Sequence, residues 1–144
     1  MQSLNVRKIG STISCAVNPA SITIGSSTTV SGSISPSHTA SVTIRYSADG
    51  GVTWIILTTI TSQPNGSYSK AWTPLAVSTY KVKASWAGDG DHEGAESPIQ
   101  TLAVKASSTI SCSVSPERVK KGETAPVSGS ISPLHAGVTV TLTY

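Results

Sequence analysis

The sequence predicts an all-β fold of two packed sheets, and three observations carry that reading. Apolar and polar residues alternate at period two between turn signals. No stretch shows the helical period of about 3.6 residues. One block of sequence also occurs twice, about one small domain apart. Composition points the same way: Ser and Thr fill 44 of the 144 positions, charged residues make up 12%, and there is no Phe. Thr, Val and Ile with few strong helix formers favour strands.

The repeat divides the chain. STISCAVNPASITIGSSTTVSGSISPSH from Ser11 matches STISCSVSPERVKKGETAPVSGSISPLH from Ser108 at an offset of 108 − 11 = 97 residues. Cys15 falls on Cys112, Pro19 on Pro116, Gly32 on Gly129, Pro36 on Pro133 and His38 on His135. One extra residue then moves the offset to 98, placing Val42, Ile44 and Tyr46 on Val140, Leu142 and Tyr144. At that offset Leu4 and Val6 fall on Leu102 and Val104. The expected organisation is a last strand of a preceding repeat plus linker over 1–10, a complete domain over 11–105, and the first strands of a following repeat over 106–144, so that neither end is a domain boundary.

Within the complete unit each strand is bounded by its own punctuation. Thr12 to Val17 is stopped by Asn18-Pro19, Ile22 to Ile24 by Gly25-Ser26, and Thr28 to Ile34 by Pro36. Ser41 to Ser47 puts Val42, Ile44 and Tyr46 on one face and ends at Asp49-Gly50-Gly51. Thr53 to Thr61 is a more continuous apolar run: Trp54, Ile56 and Ile60 share the expected inner face, Ile55 and Leu57 the outer, which implies cover on both sides. Asn65-Gly66 supplies the positive φ of a tight hairpin before Gly66 to Trp72. Thr79 to Trp86 alternates most regularly, Tyr80, Val82, Ala84 and Trp86 inward against Lys81, Lys83 and Ser85 outward. Ile99 to Lys105 closes the unit. Seven or eight short strands in about 100 residues is the pattern of an immunoglobulin-like β-sandwich, here in tandem with a period of about 97 residues.

Three stretches carry a resemblance to a family. SVSPERVKKGETAPVSGSISP, the hairpin NGSYSKAWTP, and STYKVKASWAGDGDHEGAES are similar to the bacterial and archaeal Ig-like (Big-type) tandem repeats of large cell-surface proteins. The resemblance covers nearly the whole chain. It implies an extracellular, multidomain stalk or adhesin-type protein whose repeats act as structural spacers, and it implies no catalytic residue.

Charge and cysteine usage narrow the alternatives. The ten basic residues give a formal net charge of +3 but are spread along the chain, so the concentrated basic face of a nucleic-acid binder is absent. No apolar run approaches the about 20 residues of a membrane-spanning helix, and no apolar signal segment follows Met1. Cys15 and Cys112 occupy equivalent positions, one per repeat, so an intradomain disulfide is excluded by counting. Cys15 then reads as a small buried apolar residue, or as a link between domains or chains.

Four of the seven acidic residues fall in GDGDHEGAE, residues 88–96. Asp89, Asp91 and Glu93 alternate in a Gly-rich loop as oxygen ligands of Ca²⁺ do, but the closing bidentate Glu of a twelve-residue calcium loop is missing, and a solvated acidic turn accounts for the same residues. Trp54 and Trp86 fall on inward positions; Trp72, at a strand end before Thr73-Pro74, is the candidate exposed aromatic for stacking on a sugar ring. Asn65-Gly66-Ser67 is an N-glycosylation triplet in an expected turn, although turn chemistry selects the same Asn-Gly. His38 and His135 follow Ser-Pro in equivalent turns and His92 lies in the acidic loop, none at ligand spacing from another His or Cys, so zinc is not expected. No nucleophile with an oriented base is apparent, and enzymatic activity is not expected. No cofactor other than calcium enters this reading.

The expected role is structural and adhesive, with neighbouring Ig-like repeats or copies of the same chain as partners. A second expectation is a filament: Leu4 and Val6 of one copy would complete the open half-domain of the next by strand addition, head to tail. A calcium- or carbohydrate-binding module is the third.

Overall fold

The computed structural model describes residues 4, 6–134 and 137–144. All fourteen secondary-structure elements of these residues are strands, and no helix is long and apolar enough to cross a membrane. The chain divides into two units, Met1–Lys105 and Ala106–Tyr144.

The first unit contains two sheets. In one, β4 (Thr28–Ser35) is central, with β1 (Thr12–Ile13) and β2 (Ala16–Asn18) antiparallel along one edge and β7 (Ser67–Trp72) along the other. The second runs in the order β3 (Ser21–Thr23), β10 (Gln100–Lys105), β8 (Ser78–Gly88), β5 (Ser41–Ser47) and β6 (Ile55–Thr61), and β9 (Glu93–Glu96) pairs with the far end of β8. Only the β3–β10 pair is parallel among these ladders. The leading segment thus changes sheets at Pro19, a residue with no N–H to donate to a ladder. The Pro19 carbonyl is taken up by Thr28 Oγ1 at 2.7 Å.

Alternation makes the core. Tyr80, Val82, Ala84 and Trp86 of β8 are buried; Val82, Ala84 and Trp86 cluster with Val42 and Ile44 from β5, with Ile13, Val30, Ile34 and Tyr68 from the first sheet, and with Cys15 between β1 and β2. Ile22, Leu102 and Val104 form a smaller cluster with Tyr80 at the β3–β10 side. Each fully buried aliphatic side chain of this kind stabilises the fold by about 1.5–3 kcal/mol relative to exposure. Between β1 and β2 the strand is interrupted at Ser14-Cys15. Here the Ser14 carbonyl lies so close to Gly32 that a Cβ on Gly32 would stand 2.0 Å from it, and the Tyr68 hydroxyl donates to the same oxygen.

Strand β6 differs from its expected reading. It begins at Ile55, and its register with β5 shifts between Ile44 and Arg45, where Thr58 and Ile56 face consecutive residues and Leu57 has no partner. A bulge of this kind reverses the alternation locally. Leu57 and Ile60 therefore pack on the core, while Ile55 and Ile56 are 52% and 58% exposed on an edge strand. Trp54 is half-exposed, with Lys83 Nζ 4.3 Å from its ring centroid. The Asp49-Gly50-Gly51 turn before it is fixed by Asp49, whose carboxylate accepts from Ser47 Oγ at 2.5 Å and from Thr53 N at 2.9 Å. Those bonds, the Ser47 one foremost, hold the Asp49 carboxyl below its ordinary value.

The second unit holds β11 (Thr109–Ile110) paired with β14 (Ile131–Ser132), and β12 (Ser113–Val114) paired with β13 (Val127–Ser128). Thr109↔Ser132 and Val114↔Val127 are the pairs Thr12↔Ser35 and Val17↔Val30 displaced by 97 residues. The Gly approach recurs as well: a Cβ on Gly129 would lie 2.0 Å from the Ser111 carbonyl. What differs is burial. Ile13 is 5% exposed and its counterpart Ile110 is 64%. Ile110, Val127, Ile131, Val140 and Leu142 line an open concavity of about 780 Å³.

Candidate functional site

The acidic segment is a hairpin rather than a free loop. Strand β8 runs on to Gly88, Glu93–Glu96 returns as β9, and residues 89–92 form the tip. Gly88 has φ +84°, and a Cβ there would meet the Gly94 nitrogen at 2.6 Å, so the turn requires glycine. Asp89 organises the tip. Its Oδ1 accepts from Asp91 N at 2.8 Å and His92 N at 2.7 Å, and His92 Nδ1 lies 3.0 and 3.1 Å from its two oxygens. Desolvation pushes the Asp89 carboxyl up, but these hydrogen bonds and the adjacent imidazole outweigh it and hold the group below the ordinary carboxylate value.

A residue distant in sequence completes the cluster. Thr43 pairs with Ser85 across β5 and β8, which sets the turn before β5 beside the end of β8. His38 sits in that turn. Its Nδ1 donates to the Pro36 carbonyl at 2.6 Å, and its own carbonyl accepts from Ser62 Oγ at 2.9 Å. Ser62 is buried and accepts from Ala40 N at 2.9 Å, so it locks both sides of the turn. The His38 ring stacks on His92 at 4.7 Å with an interplanar angle of 11° and leans on Trp86 at 4.6 Å. His38 Nε2 is buried with no hydrogen-bond partner among the described residues.

The chain ahead of the first strand grips the same hairpin. Ile9 N donates to the Asp91 carbonyl at 2.7 Å, Glu93 N donates to the Ile9 carbonyl at 2.8 Å, and Lys8 Nζ donates to the Asp89 carbonyl at 2.7 Å. Ser11 Oγ donates to the Glu93 carbonyl.

The sequence-derived candidates separate in space. Among the described residues, the metal-competent group is His38, Asp89 and His92, with ligand-type atoms all within 4.8 Å of one another. Asp91 and Glu93 are exposed beside it and do not join that group. Glu96 instead pairs with Lys83 at 2.7 Å. His135, the repeat counterpart of His38, lies outside the described residues. Spacing along the chain could not reveal His38, because it reaches the hairpin only through the β5–β8 register.

The three tryptophans occupy different surroundings. Trp86 is buried against the histidines. Trp72 is half-buried, packed against Tyr46 at 5.1 Å and edge-on to Tyr80 at 5.2 Å, at a shallow hollow of about 330 Å³ that Leu57, Pro74 and Leu75 also line. Asn65 is exposed at the tip before β7, where its Oδ1 accepts from Ser67 N at 3.0 Å and Ser67 Oγ at 2.7 Å. Leu4 and Val6 are 89% and 80% exposed. Both cysteines are free, Cys15 buried and Cys112 exposed, and burial raises the Cys15 thiol pKa. No protein-family model matches this chain, and no curated protein matches it.

Proposed function

We propose that this chain is part of a tandem array of immunoglobulin-like β-sandwich repeats, serving as a non-enzymatic, rigid spacer in an extracellular surface protein or filament. One observation carries the reading: a single pairing pattern, with the same close approach of a glycine to a serine carbonyl, recurs at 97 residues in two separate units. Identical local construction in successive stretches is what a repeat array requires. The strand order supports the immunoglobulin-like type. Strands β1, β2, β4 and β7 lie opposite β10, β8, β5 and β6, as the ABE and GFCC′ strands do in variable-type sandwiches. A surface rich in Ser and Thr and poor in charge suits an extracellular setting, and the resemblance to bacterial and archaeal Ig-like repeats points the same way.

The partners in this reading are neighbouring repeats. Leu4 and Val6 align with Leu102 and Val104, which are fully or nearly fully buried in β10. They would be core residues of a preceding copy, or, in the filament version, of another chain's open half-domain. Solution scattering tests the spacer role. With β8 at 11 residues and about 3.3 Å per strand residue, polypeptides of one to four copies should gain about 36 Å in maximum dimension per added copy. A dimension growing as the cube root of length would indicate a collapsed globule and contradict a rigid array.

A further inference from the structure

The inward nitrogen of His38 presents an unanswered lone pair. Nδ1 sits 2.6 Å from the Pro36 carbonyl, and a carbonyl only accepts, so the proton of the neutral ring is on Nδ1 and Nε2 is bare. Nε2 is buried without a partner among the described residues, a state that carries the full desolvation cost of the group. An imidazole whose Nδ1–H is held by a backbone carbonyl, leaving Nε2 free to ligate, is the arrangement by which metal-binding histidines fix tautomer and ring orientation.

The neighbouring groups supply the rest of a coordination set. His92 Nδ1 lies 3.0 and 3.1 Å from the Asp89 oxygens, close to the spacing of about 3.3 Å between two ligands of a tetrahedral ion with bonds of about 2.0–2.1 Å. All three residues already have ligand atoms within 4.8 Å of one another, and the stacked His38 and His92 rings, 11° from parallel, turn about their side-chain bonds when both nitrogens take one ion. Asp89 is half-exposed, which leaves an entry path from solvent. We propose that His38, Asp89 and His92 form a binding site for a divalent transition-metal ion of the zinc class, with one imidazole nitrogen from each histidine, a carboxylate oxygen from Asp89 and water as the fourth ligand. Two imidazoles and a single carboxylate select this class. Calcium requires six to eight oxygens, and the set contains one carboxylate. The bound ion joins the turn before β5 to the β8–β9 hairpin, and that hairpin also holds the leading segment at Ile9. Its consequence is mechanical: the end of the sandwich that receives the preceding linker becomes cross-braced.

The full chain is titrated with Zn²⁺ alone by calorimetry and with Co²⁺ by visible absorption, alongside the variants His38→Gln, Asp89→Asn and Cys112→Ser, each checked for native circular dichroism. The expected result is one ion per chain, tetrahedral Co²⁺ bands without a thiolate charge-transfer band, binding weakened at least about 10-fold in His38→Gln and Asp89→Asn, and unchanged binding in Cys112→Ser. Absence of binding, equal affinity in His38→Gln, or loss of binding in Cys112→Ser would overturn the proposal. If the His38 variant does not fold, NMR of the wild-type imidazole nitrogens decides: Zn²⁺ must shift the His38 Nε2 signal together with a His92 ring nitrogen, and an unshifted His38 ring sinks the site.

Discussion

Gly32 shows how one residue can be fixed by its neighbour's backbone. Its missing side chain is where the Ser14 carbonyl and the Tyr68 hydroxyl stand, 2.0 and 2.5 Å from a notional Cβ. Ser14 is backbone in a strand break that Cys15 and Ile13 anchor in the core, so it has little room to retreat. We expect Gly32→Ala to destabilise the chain by at least about 2 kcal/mol in urea unfolding, at the upper part of what overpacking costs. A change below about 0.5 kcal/mol, the range of an ordinary surface substitution, would mean that the β1–β2 break yields freely. The sequence marked Gly32 only through its repetition as Gly129; the reason for the glycine is a contact between strands.

At the scale of elements, the clean alternation of Tyr80, Val82, Ala84 and Trp86 was legible because β8 is paired on both sides and carries one apolar face. The run around Trp54 to Ile60 was not. It is apolar on both sides, so period two cannot choose a face, and the bulge that makes the choice depends on pairing with β5. The two readings separate by mutation. Leu57→Ala should cost about 2 kcal/mol, toward the low end for a core aliphatic because Leu57 is only partly buried. Ile56→Ala should stay within about 0.5 kcal/mol. The reverse order in thermal or chemical unfolding would restore the unbulged register. The acidic segment was legible as a cluster but not as a hairpin, since Gly88 and Gly94 suit either a loop or a tight return. The histidine cluster was illegible for a related reason: His38 and His92 meet through the β5–β8 register, and neither residue carries a local motif.

For the whole molecule, the all-β character was legible in the period-two alternation, and the spacer proposal rests on the internal sequence match at 97 residues. One unit closes a core between two sheets; the other repeats its opening strands and leaves Ile110, Val127 and Leu142 facing an open concavity. A short strand pair buries too little to stand alone, so in the array reading each copy's stability comes from its own second half. Single-molecule force extension of a polypeptide containing several copies tests this most directly. The expected trace is a sawtooth with one event per copy, each releasing about 300 Å of contour, from 97 residues at up to about 3.6 Å per extended residue less the folded length. A smooth extension without discrete events, or steps unrelated to the number of copies, would contradict an array of independently folded sandwiches.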